Sequence, residues 1–264
     1  MNERDAMKTK RVAVLSAVIL LSACGSDPKA GADGVKKSVD SLNAVEKALH
    51  FIGLWPSYEC GDAAPVAAAN VASHLRERVG CGIVTTESDD SSSSVVLSFP
   101  DDSCYVDGKK LTGKARLRFS QGDDRLDARF DLNELKVDGD AIPLAVSVGE
   151  CGDMMTYSIQ GSAKIDHDHT FALDLTTQLR AGIPLIGHDD LVLDGFGELD
   201  NPHSKDQVAF EQVKMELGEP IPNDGQLKID TEDGHHISAR FFDGWPVGGA
   251  EVQVDQGDKT KIPL

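Results

Sequence analysis

Two spacings of apolar residues divide the chain. Over residues 35–54 they recur every three or four positions, at Val35, Val39, Leu42, Val45, Leu49 and Ile52. That spacing places them on one stripe of a helix, which Trp55-Pro56 ends. A second helix is predicted over residues 62–79. Asp62 serves as its N-cap, Pro65 sits in its first turn, and Ala67, Val71, Leu75 and Val79 form its stripe. Gly80 supplies the stop.

From Gly82 onward the period falls to two. Leu111, Gly113, Ala115, Leu117 and Phe119 alternate with polar residues, and Met155, Tyr157, Ile159, Gly161, Ala163 and Ile165 do the same. Phe171, Leu173, Leu175 and Leu179 continue the pattern, followed by Leu191, Leu193 and Leu199. Such alternation marks strands with one buried and one wet face. Asp107-Gly108, Asp138-Gly139, Asp224-Gly225 and Asp233-Gly234 read as hairpin turns, and residues 166–169 as a further turn. Residues 87–94 (ESDDSSSS) and 201–206 read as polar loops. Parity slips between Leu132 and Leu135 and between Phe210 and Val213, the mark of bulges that bend a sheet.

A weak repeat accompanies the strands. Leu111-Thr112-Gly113-Lys114-Ala115 matches Ile159-Gln160-Gly161-Ser162-Ala163, and Leu193-Asp194-Gly195-Phe196-Gly197 is a looser copy. Glycine within a strand implies a bend or a close approach, so either the N-terminal helix packs against these flat spots or the sheet coils around them. The expected fold is α+β, with two N-terminal helices packed on a large curved antiparallel meander, half-barrel or barrel-like. A single domain spans 35–264, helical over 35–81 and β over 82–264.

The first 23 residues belong to another category. Lys8, Lys10 and Arg11 precede a ten-residue apolar run, Val12 to Leu21, interrupted only by Ser16. The run is half the length of a membrane-spanning helix and has the layout of a secretory signal. Its end, Leu21-Ser22-Ala23-Cys24-Gly25, resembles the lipobox of bacterial lipoproteins. The resemblance implies that residues 1–23 are removed and that Cys24 carries the lipid, with residues 24–34 a flexible tether. It places the protein in the cell envelope, lipid-anchored, at the outer membrane because Gly25 and Ser26 stand where an inner-membrane aspartate would. The body also resembles β-rich secreted lipoproteins that bring no assigned activity.

Removing the signal leaves 22 basic and 42 acidic residues, a net charge of −20. Such a surface repels phosphate backbones, so no nucleic-acid partner is expected. With Cys24 lipidated, Cys60, Cys81, Cys104 and Cys151 remain, an even number that reads as two disulfides in an oxidising compartment. The favoured pairs are Cys60–Cys81, clamping a helix, and Cys104–Cys151, bracketing strands.

No cofactor or catalytic site is indicated. The chain has no G-x-S-x-G elbow, Walker loop, dinucleotide fingerprint or H-E-x-x-H. His167 and His169 would share a face if they lay on a strand and so could meet one metal ion, with His188 as a distant third. A polar turn accounts for them equally well, and no metal site is expected. Two functions fit: a non-enzymatic binding or structural module, or a carrier of lipid or another hydrophobic ligand with an apolar cavity inside the curved sheet. The second is similar in architecture to lipid-transfer folds, with no motif matched. Expected partners are the membrane, through the anchor, and a protein or hydrophobic ligand.

Overall fold

The structure, a computed structural model, describes residues 28–264 apart from 57, 60, 90, 101–103, 123, 124, 150–153, 181–189, 203, 217, 218 and 244–247. Two helices precede the sheet, α1 (Pro28–Ile52) and α2 (Ala64–Arg78). The strands that follow are β1 (Ile83–Ser88), β2 (Ser92–Phe99), β3 (Tyr105–Val106), β4 (Lys109–Gln121), β5 (Leu126–Asp131) and β6 (Leu135–Val137). Next come β7 (Asp140–Ala141), β8 (Leu144–Gly149), β9 (Met154–Lys164), β10 (Thr170–Arg180) and β11 (Asp190–Asn201). The last five are β12 (Ser204–Glu216), β13 (Glu219–Asp230), β14 (His236–Phe242), β15 (Gly249–Val254) and β16 (Thr260–Pro263).

Among the described residues these form one antiparallel sheet of 16 strands in nearly sequential order, with β1 and β16 at its two edges and no closure into a barrel. The α+β expectation therefore holds, weighted toward β. The predicted stripe of α1 is wholly buried, from Val35 to Ile52, and so are most of the inward apolar residues described in β4, β9, β10 and β11, with Tyr157 and Ile165 partly buried. One apolar cluster joins both helices to the sheet.

Helix α1 begins at Pro28, so residues 28–34 of the expected tether are helical. Their small side chains serve packing rather than flexibility. A Cβ on Gly31 would come within 2.6 Å of Val254, and one on Gly34 within 3.3 Å of Ile229. Helix α2 matches its predicted span closely, but Ala63 occupies the N-cap position, with no side-chain cap.

Cys81 and Cys104 are joined in a disulfide, which overturns both favoured pairings because each sulfur forms one bond. Cys81 follows α2 and Cys104 precedes β3. Helix α2 packs on β1, β2 and β4, and that brings the two segments to one corner. Cys60 and Cys151 lie outside the described residues, as does Cys24.

Three loop expectations change. The serine-rich stretch is mostly strand, β1 running to Ser88 and β2 starting at Ser92, and between them the Asp89 carboxylate accepts from the backbone N–H of Ser91 and Ser92 at 2.9 and 2.7 Å. Those bonds hold its carboxyl down at about 2. Ser93 and Ser94 are buried strand residues. Of residues 201–206, Asn201 ends β11 and 204–206 open β12, with Asn201 paired to Ser204. Asp224-Gly225 lies within β13, opposite a bulge at Gln212 (φ 49°), because a bulge uses the same positive-φ residues as a turn. The slip at Phe210 is this bulge, whereas the slip after Leu132 is a break between β5 and β6, both paired to β4.

Glycines 161 and 195 are close-approach positions with φ of 153° and 146°. What approaches is a neighbouring strand, not a helix: a Cβ on Gly161 would collide with the Pro143 carbonyl, and one on Gly195 with that of Asp174.

Candidate functional site

Helix α1 meets the sheet along one set of its turns. Gly31 packs on Val254 and Ile237 at the ends of β15 and β14. Farther along, Lys37 Nζ donates to His169 Nε2 at 2.8 Å, just before β10. Lys47 then pairs with Asp140 at 2.5 Å, at the start of β7. The helix thus covers the buried face of the sheet at that end of the strands.

His167 and His169 lie in the turn between β9 and β10, not on a strand, and do not converge. Lys37 can only donate, so His169 accepts at Nε2 and donates from Nδ1 to Asp166 Oδ1 at 2.6 Å. Both its ring nitrogens are committed. His167 is almost fully exposed and pairs with Asp168 at 2.8 Å. Asp166 also accepts from the backbone N–H of Asp168 and His169, and these bonds, with the His169 ring, hold its carboxyl below the usual range. Among the described residues no three His, Cys, Asp or Glu side chains are placed to hold an ion. His188 lies outside them.

Beneath α1 at this end runs a cleft of about 560 Å³. Ala44, Asp40 and Lys47 of α1 line it on one side, and Asp140, Ala141, Pro143, Ala163 and Asp166 of the sheet and its turns on the other. Burial pushes the Asp40 carboxyl up, Lys36 opposes the shift, and the negative charge of Asp166 adds to it.

Toward the opposite end, strand register builds a single cross-strand row on the concave face: Phe119, Ala128, Val148, Tyr157, Thr177 and Leu193. The segment after α1 lies over it. Trp55 packs edge-on against Phe130 at 5.4 Å, and Tyr58 against Phe119 at 5.0 Å. The Trp55 Nε1, Tyr58 hydroxyl and Thr177 Oγ1 are buried without a hydrogen-bond partner among the described residues. Thr177 is 2% exposed and Trp55 7%. Tyr157 finds only the thioether of Met155, at 3.7 Å. Burial pushes both phenols up, and for Tyr58 the nearby Tyr157 and Asp127 add to the rise, so both are neutral donors.

Buried polar atoms nearly always have partners, so these groups, with Asn43 Oδ1 and His50 Nε2, are the candidate binding contacts among the described residues; they are spread out, Phe119 under Tyr58 lying four strands from Thr177. The chemistry that Trp55, Tyr58 and Thr177 can offer is hydrogen-bond donation. Thr177 has no base beside it and therefore no activated oxygen. None of this was read from the sequence, although one signal existed. Thr177 takes an inward position in a strand otherwise filled by Phe171, Leu173 and Leu175. Comparison with known proteins brings nothing to set beside this geometry: no protein-family model, curated protein or solved structure matches the chain.

Proposed function

We propose that this chain is a cell-envelope lipoprotein, anchored through Cys24, whose curved sheet acts as a non-enzymatic binding module. The anchor rests on the order of basic residues, apolar run, small residues and cysteine over residues 8–25. The binding role rests on one observation above the others, the unpartnered donors buried on a concave face that α1 covers from one end. Three residues separate Cys24 from a helix packed into the body. At roughly 3.5 Å per residue the lipidated sulfur sits within about 14 Å of Pro28, so the body lies close against the bilayer. The negative surface argues against nucleic acid as a partner.

Those same orphan donors favour a second, narrower reading, a carrier of a lipid or other hydrophobic ligand, over a purely structural module. A structural core would gain nothing from burying them. The anchor is tested by feeding expressing cells a radiolabelled fatty acid. Label should enter the wild-type protein and be absent from Cys24→Ala; an unlabelled wild type ends the lipoprotein reading. Native mass spectrometry of protein taken from its own membrane tests the carrier, which should retain an extractable amphiphile.

A further inference from the structure

We infer that Arg118 and Arg129, side by side on the exposed face of β4 and β5, form a binding site for a compact, soluble phosphate monoester. The site lies on the face turned away from the core and is independent of the carrier reading.

The register pairs Arg118 directly with Arg129, which sets their Cβ atoms about 5 Å apart. Both side chains are exposed, on strands whose other side buries Leu117, Phe119, Ala128 and Phe130. Like charges set opposite one another in a sheet repel and destabilise the pairing. Acids to relieve that repulsion are plentiful, 42 against 22 basic residues after residue 23. The carboxylates around the pair are nevertheless committed elsewhere. Glu87 pairs with Arg116 at 3.1 Å and Asp127 with Arg125 at 3.3 Å. Asp131 accepts from the backbone and side chain of Asn133 at 3.1 and 2.6 Å. Among the described residues neither Arg118 nor Arg129 has a hydrogen-bond or ion-pair partner for its guanidinium.

The same cross-strand row continues into hydroxyls, with Ser94 beside Arg118, Ser147 beside Arg129, and Ser158 next. Two guanidinium forks flanked by hydroxyls select the shape of the anion. A carboxylate fills one fork with its two oxygens. A phosphate monoester brings three terminal oxygens and nearly two charges, enough to bridge both. The surroundings limit its size. Glu87 lies opposite Ser94, Asp127 and Asp131 stand two residues to either side of Arg129, and the net charge of −20 repels an extended polyanion or an anionic bilayer. A small soluble molecule meets the pair without meeting that field.

The test uses full-chain protein in mild non-ionic detergent at pH 7 and fixed ionic strength. The probes are phenyl phosphate, benzoate, and dodecyl phosphate carried in the detergent micelle as a lipid-headgroup mimic. Calorimetric titration should show saturable binding of phenyl phosphate and about tenfold weaker binding of benzoate, the scale of one charge-assisted hydrogen bond lost. Arg118→Gln and Arg129→Gln should each weaken phenyl phosphate about tenfold. Arg125→Gln, whose guanidinium is already paired with Asp127, should leave it unchanged. Thermal unfolding gives a readout that a purely structural pair would not. Without phosphate the Arg118 and Arg129 variants should melt no lower than wild type, because a repulsion is gone. Phenyl phosphate should raise the midpoint of wild type and of Arg125→Gln but not theirs. Equal binding of phenyl phosphate and benzoate, equal losses in all three variants, or early melting of the Arg118 and Arg129 variants would overturn the assignment. Binding of dodecyl phosphate without phenyl phosphate would overturn it too, by moving the ligand to a lipid headgroup. Failure of every probe ends this inference and leaves the binding-module reading standing, since that rests on the other face of the sheet.

Discussion

The Lys37 ammonium lies 2.8 Å from Nε2 of His169, tying the first helix to the turn between β9 and β10 across 132 positions of sequence. Asp166 holds the other face of the ring at 2.6 Å. Lys37→Met would leave a largely buried ring nitrogen without its donor, at a cost of about 1 kcal/mol. His169→Ala should cost a similar amount, and the double variant less than the sum, because both remove one contact. Urea denaturation of the four proteins measures this. Additive losses would show that the contact is not formed in solution.

The Cys81–Cys104 bond closes a loop with a sequence separation of 23. Cross-linking a loop of that length restricts the unfolded chain and stabilises the fold by about 3 kcal/mol. Cys81→Ser and Cys104→Ser should each lose that amount, and the double variant no more. On the proposal that Cys24 carries a lipid, counting leaves Cys60 to pair with Cys151. Peptide mapping under non-reducing conditions should recover both cross-linked pairs; a Cys60–Cys81 peptide would contradict the first assignment.

Gly161→Ala and Gly195→Ala should be among the most damaging small substitutions in the sheet. Each would drive a methyl group into a neighbouring strand's carbonyl at a backbone angle that alanine rarely adopts. A loss of about 2–4 kcal/mol is expected for each, well above the cost of a surface change. Gly234→Ala is the control: its φ is also positive, at 91°, but nothing lies within 4 Å of the added carbon. It should cost about 1–2 kcal/mol, the conformational penalty alone. Thermal unfolding followed by circular dichroism ranks the three, and equal losses would remove the steric explanation.

The turn between β13 and β14 is joined to the end of β15 by a pH-dependent contact. His235 Nδ1 and Asp255 Oδ2 are 2.8 Å apart, and the other Asp255 oxygen accepts from the His236 backbone N–H, also at 2.8 Å. The hydrogen bond to Asp255 raises the His235 pKa above its ordinary 6.5. The His236 N–H, then His235, lower that of Asp255 below 3.8. A raised histidine contributes stability that is complete below 6.5 and is lost as pH climbs through the raised value. A lowered aspartate contributes stability that is complete above 3.8 and is lost as pH drops through the lowered value. Protection of the His236 amide from hydrogen exchange should therefore be greatest between these limits and decline on both sides. Asp255→Asn should return the His235 titration, followed by NMR, toward its ordinary value. A wild-type ring that already titrates at or below 6.5 would refute the contact.

Local chemistry was legible along the chain. The 3.6-residue stripe from Val35 to Ile52 and the two-residue alternation of β4, β9, β10 and β11 report directly which side of each element is buried, so element type and α+β class followed from them. Asp107-Gly108 and Asp233-Gly234 marked turns because positive backbone angles are a property of those residues themselves. Small residues were the harder case. Gly31 and Gly34 look like tether when seen alone; they are helical because Val254 and Ile229, over 190 positions away, press against them.

Everything that depended on distance in sequence was settled by the folded chain. The partner of Cys81 follows from where α2 lies on β1, β2 and β4. Tyr157 and Thr177 become cross-strand neighbours through the register of β9 and β10, and Tyr58 lies on Phe119 because the segment after α1 delivers it there. Residue pattern reports whether a side chain faces in or out. Which side chains meet once they face in depends on register and on how helices lie across strands, and those are fixed by the packing of the whole core.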